Sequence, residues 1–164
     1  MPGSLNVADT THLPSGGTGG GTVRLSVGGT TTLDGTISAE GGDGILYDSG
    51  SGGSVFITTA DLAGSGTISV DGGFISTGAH GAGGGGRIAV VLTSGSTFGS
   101  VTFTAYAGGG GIYGGGGGFP GAGTVYTKTP SQTYGTVTID NNGAGLRAGG
   151  GLTAGTWIPV EQSW

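Results

Sequence analysis

Residues 52–73 read GGSVFITTADLAGSGTISVDGG, and the fold turns on how this stretch is parsed. It holds two short runs of alternating apolar and polar residues, 54–58 and 67–70, joined by a corner and closed by a double glycine. Alternation with period 2 is the mark of a strand with one buried face. The opening of the first run, a glycine followed by a small or charged residue and then a β-branched or aromatic one, recurs. It appears at Gly21 (GTVRLSV), Gly53 (GSVFIT), Gly86 (GRIAVVL), Gly123 (GTVYTK) and Gly155 (GTWIPV), at spacings of 32, 33, 37 and 32 residues. The second run recurs at Gly3 (GSLNVA), Gly35 (GTISAE), Gly66 (GTISVD), Gly99 (GSVTFTAY) and Gly135 (GTVTID), at spacings of 32, 31, 33 and 36. Two interleaved series with one shared period predict a repeat architecture in which each copy buries its apolar edge against the next.

The expectation is an all-β parallel β-helix, a β-solenoid of about five coils of 31–37 residues with glycine-rich arms, forming one domain over residues 1–164. In the first series Val23, Leu25 and Val27 face inward, with Val55 and Ile57, then Ile88, Val90 and Leu92, then Val125. In the second series Leu5, Ile37, Ile68, Phe103 and Val137 form one column. The corner before each second run carries Leu33, Leu62, Phe98 or Tyr134. After the second run comes an arm such as GGDGILYDSGSGG, expected to form a third side of the coil, extended or polyglycine-like, with one apolar cluster tucked beneath: Ile45 and Tyr47, Phe74 and Ile75, Ile112 and Tyr113, or Leu146.

Composition narrows the function. Glycine supplies 45 of 164 residues, charged residues only 8%, and the formal net charge is −5. Glycine at that level suggests low complexity, but the fixed period and β-branched runs argue for order. With Arg24, Arg87, Lys128 and Arg147 as its only cations, the chain is a poor partner for nucleic acid. It has no cysteine, hence no disulfide, thiolate zinc site or thiol chemistry. No apolar run approaches the ~20 residues of a membrane span, and the amino terminus lacks the basic region and apolar core of a signal peptide. An extracellular or cell-surface location is expected.

His12 and His80 have no acidic or nucleophilic residue at a motif distance, and the glycine runs lack the G-K-[ST] ending of a phosphate loop. No catalysis is expected. Glu40, Asp71 and Asp140 follow second-series strands, with Tyr106 in the copy between the last two, and are the candidate calcium ligands; GGDGILYD resembles the calcium nonapeptide repeat but misses its spacing. Outward positions of the second series form a hydroxyl ladder: Thr36 and Ser38, Thr67 and Ser69, Thr102 and Thr104, Thr136 and Thr138. This ladder resembles the ice-binding face of β-solenoid antifreeze proteins and is the candidate ice or glycan face. Outward residues of the first series (Arg24, Phe56, Arg87, Tyr126, Lys128) are mixed and could suit a partner or carbohydrate surface. The chain opens on a second-series strand and ends on a first-series one. Leu5, Val7, Trp157 and Ile158 are therefore expected at exposed ends that stack head to tail with another copy, or with adjoining coils of a longer chain.

The motifs GGGGRIAVVL, VTFTAYAGG, GAGTVYTK and GTVTIDNNG, spanning residues 83–143, resemble the glycine-rich parallel β-helix repeats of large bacterial surface proteins of the adhesin-like kind. The coils upstream are similar. That resemblance implies an adhesive or structural module and transfers no functional residue.

Overall fold

The structure, a computed structural model, describes residues 16–45, 47–75, 80–109 and 120–142. Its strands are β1 (Thr22–Thr32), β2 (Thr36–Ser38), β3 (Ser54–Ala63), β4 (Thr67–Ser69), β5 (Arg87–Leu92), β6 (Thr102–Thr104), β7 (Thr124–Lys128) and β8 (Thr136–Thr138). They are divided between two sheets, a five-stranded one of order β1-β3-β5-β7-β8 and a three-stranded one of order β2-β4-β6. Val23, Val55, Ile88 and Val125 stand in register across four parallel strands, as do Leu25, Ile57 and Val90. Ile37, Ile68 and Phe103 align across the smaller sheet. These columns meet between the sheets and form the core, where Ile57, Ile68, Val70 and Val90 are fully buried. Each such side chain contributes about 1.5–3 kcal/mol of hydrophobic stabilisation.

The expected parallel β-helix of about five coils is not what forms. Among the described residues the strands belong to two separate sheets, one of mixed direction, and neither is closed. The departure is sharpest at β8, which runs antiparallel to β7 and pairs Tyr126 with Val137, leaving β6 without it. Its cause is local. Pro130 has no N–H to continue the ladder and suits the second position of a turn. Gln132 N closes that turn on Thr129 O at 3.2 Å, and the Gln132 side chain accepts from Thr129 N at 2.8 Å. The chain reverses there, so Val137 leaves its expected column and stands 58% exposed.

Two further expectations need correction. The corners of the first two copies are largely strand: β1 and β3 continue to Thr32 and Ala63, and Leu62 pairs with Thr31. A bulge makes this possible, because β1 spends one more residue than β3 between Val27 and Thr30. The buried Thr59 hydroxyl fills the bulge, donating to Gly29 O at 2.7 Å and accepting from the Thr31 hydroxyl at 2.9 Å. Thr59→Val would remove these bonds from the exposed Gly29 carbonyl and the half-buried Thr31 hydroxyl. It is expected to cost about 0.5–1.5 kcal/mol, read as a lower urea midpoint with an unchanged slope.

The arms also differ from expectation. Ile45, Tyr47 and Phe74 are exposed and only Ile75 is buried; the clusters at Ile112, Tyr113 and Leu146 lie outside the described residues. Ile75 apart, the described side chains of these clusters stay outside because the arms pack backbone against backbone. Gly42 N donates to Thr18 O, Gly50 N to Gly42 O, Gly73 N to Gly50 O, Gly83 N to Gly73 O and Gly108 N to Gly83 O, at 2.7–3.2 Å. In the arm entering β3, Ser49 and Gly52 donate to the next entering arm (Gly81 O, Gly84 O), while Gly50 and Gly53 donate to the leaving arm (Gly42 O, Ala39 O). Bond direction thus repeats every third residue, the periodicity of a polyproline-II-type helix. The third position faces outward and is where side chains are carried: Asp43, Asp48, Ser51 and Phe74 are all exposed. A Cβ on Gly41, Gly50, Gly52 or Gly83 would lie 1.8–1.9 Å from a backbone oxygen.

Candidate functional site

The three-stranded sheet brings six of the ladder residues together. Thr36, Thr67 and Thr102 pair in one row, and Ser38, Ser69 and Thr104 in the next. Thr136 and Thr138 do not join them, since β8 sits in the other sheet opposite Thr127 and Val125. The two rows differ chemically. Thr36 and Thr102 are exposed, and the hydroxyls of the first row have no hydrogen-bond partner among the described residues. In the second row Ser69 is buried and its hydroxyl is within bonding reach of Glu40 Oε1 and of Asp71 Oδ2, the latter at 3.1 Å. Thr104 donates to the same Asp71 oxygen at 3.0 Å. Among the described residues of this sheet the whole first row keeps its hydroxyls free, whereas Ser69 and Thr104 of the second are engaged.

Glu40 and Asp71 occupy successive layers, bridged by Ser69, whereas Asp140 accepts locally from Asn142 N at 2.8 Å. Among the described residues no group of three or more His, Asp or Glu side chains could hold a metal ion. Four acidic residues share a different job that the spacing did not reveal. Each accepts from a backbone N–H one layer along: Asp34 from Ser65 (3.1 Å), Asp43 from Phe74 (2.8 Å), Asp48 from Gly81 (2.6 Å) and Asp71 from Tyr106 (2.6 Å). A carboxylate accepting from an amide makes a stronger bond than a neutral pair. Part of the signal was present in the sequence, where Asp34, Asp43 and Asp71 each adjoin a glycine. Asp71→Ala removes the acceptor for Tyr106 N and Thr104. It is expected to cost about 1.5–3 kcal/mol, with Asp71→Asn costing less, as measured by chemical denaturation.

His80 stands 3.8 Å from Asp48 through Nδ1 and meets the Tyr47 ring edge-on at 5.3 Å between centroids. His12, Arg147 and the expected docking ends Leu5, Val7, Trp157 and Ile158 lie outside the described residues.

The outer face of the five-stranded sheet is built differently. Its rows are Thr22, Ser54, Arg87, Thr124 and then Arg24, Phe56, Ala89, Tyr126, followed by Ser26, Thr58, Val91, Lys128. Arg24 Cζ lies 5.9 Å from the Phe56 ring centroid. Lys128 Nζ donates to Thr133 O at 3.2 Å. Where the arms enter the strands, a shallow trough of about 330 Å³ crosses three layers, floored by Gly52, Gly53, Gly85, Gly86 and Gly123 and edged by Arg87.

Comparison with family models, curated protein sequences and solved structures yields no match.

Proposed function

We propose that the chain is a non-catalytic structural and adhesive module carried outside the cell or on its surface. The observation that supports this reading is the continuity of bonding between layers. Backbone hydrogen bonds join the first three copies through both sheets and the fourth to the third through the larger sheet, the glycine arms are bonded between copies as well, and carboxylates add further links. A chain tied in this way resists local opening, which is what mechanical load and extracellular proteases exploit. The test is proteinase K digestion of the purified chain together with electron microscopy across concentration. Survival of an intact band is expected. Fibres would identify a self-associating subunit and discrete particles a stalk segment, while digestion at the rate of an unfolded control would overturn both.

A second reading is favoured by one observation, the register of the free hydroxyls of Thr36, Thr67 and Thr102. It assigns that row to ice or to a neutral glycan. Replacing Thr67 and Thr102 by Leu then abolishes ice-growth inhibition or glycan retention; variants that act like the parent exclude the row.

A further inference from the structure

Charge is segregated on this protein in a way its net value of −5 conceals. Three of its four Lys and Arg residues, Arg24, Arg87 and Lys128, lie on the outer face of β1, β3, β5 and β7. The outward positions of those strands up to the bulge, in the three rows given above, include no carboxylate. The nearest one along β3, Asp61, lies past the bulge, where its Oδ1 fills the space a side chain at Gly95 would need. Neither Arg24 nor Arg87 has an ion-pair partner among the described residues, and both are exposed. Phe56 and Tyr126 lie in one row with Ala89 between them, their backbones about two strand spacings (~9.6 Å) apart, and the Tyr126 ring rests against Gly135.

We propose that this face binds a linear carboxylated polysaccharide lying across the strands along the trough. Arginine offers a planar fork that matches a carboxylate with two parallel bonds. Phe56 and Tyr126 supply flat apolar surfaces for sugar rings, and Ser54, Thr58 and Thr124 supply hydroxyl partners. The glycine floor lets a chain approach the backbone closely. A folded protein partner would call for deep apolar anchoring pockets, which this open trough does not provide. Nucleic acid would call for a denser array of cations on a less acidic protein. The proposal rests on the surface-module reading and names the face and ligand chemistry through which the module adheres.

The test uses the full chain with polygalacturonate as the probe, in affinity electrophoresis at low and raised salt. Dextran serves as the neutral control and polyglutamate as a carboxylated polymer that is not a sugar. Retardation by polygalacturonate alone is expected, weakening with salt. The Arg24→Gln/Arg87→Gln double variant should lose about tenfold or more in affinity, with Arg87→Lys recovering part of the loss and all variants keeping the parental circular dichroism spectrum. No retardation, equal retardation by polyglutamate, or a double variant that binds like the parent would each overturn the proposal. Release of new reducing ends from the polymer would instead overturn the non-catalytic reading, so the two failures are told apart.

Discussion

Gly73→Ala should cost about 3 kcal/mol or more, enough to leave a marginally stable domain largely unfolded under mild stress. A Cβ there would sit 2.1 Å from Gly42 O and 3.0 Å from Gly41 O. Neither oxygen can yield easily. Gly42 is held through its own N–H to Thr18 and its carbonyl to Gly50, while Gly73 O accepts from Gly83 N and from the Ser49 hydroxyl at 2.6 Å. The penalty is purely steric, because left-handed φ values among the described glycines occur only at the corner residues Gly64 and Gly99. Gly121→Ala is the matched control, since nothing lies within 4 Å of its added carbon. That variant is expected to be neutral, or stabilised by up to about 1 kcal/mol through a less flexible unfolded chain. Equal urea midpoints for the two variants would refute backbone-to-backbone packing of the arms.

Ile68→Asp is expected to be more severe, beyond about 4–5 kcal/mol. Ile68 is fully buried and stands in register between Ile37 and Phe103, inside the cluster that also holds Val70, Val55 and Ile57. The new carboxylate would have apolar side chains in the layers on both sides. Val137→Asp places the same charge on an apolar residue that is 58% exposed and should leave the melting temperature nearly unchanged. A cooperative, parent-like melt for Ile68→Asp would show that the inward and outward faces of β4 have been exchanged.

The strand columns were legible in the sequence because glycine marks the first residue of each run and alternation does the rest. Val23, Val55, Ile88 and Val125 could be aligned by eye from those openings. The assembly of the copies was not legible, and the reasons are specific. Equal spacing implied that the strand at Gly135 would behave as its predecessors, but Pro130 outweighs the repeat by removing one amide where the ladder needs it. The arms keep neither a period of 2 nor one of 3.6, and their composition leaves an extended and a polyglycine-like course both open. Their order is ternary, visible in hindsight as Glu40-Gly-Gly-Asp43, Asp71-Gly-Gly-Phe74 and Ser51-Gly-Gly-Ser54. As for the candidate site, the row Thr36, Thr67, Thr102 follows from the alignment. The diversion of Ser69 and Thr104 toward Glu40 and Asp71 depends on how carboxylates turn between layers, which spacing alone does not specify.

The ternary order of the arms governs how their length can change. The bonded pairs that close successive hairpins of arms, Gly42 with Gly50 and Gly73 with Gly83, are separated by 8 and 10 residues, so the added length sits in the tip beyond them. Inside an arm the rule is stricter. One inserted glycine turns every following amide by about 120°, away from the carbonyl it should meet, and brings a residue with a side chain into a slot that holds none. Three inserted glycines restore every direction. Insertions and deletions within these arms are therefore tolerated in triplets, a reading frame written in the protein backbone and independent of the one in its gene.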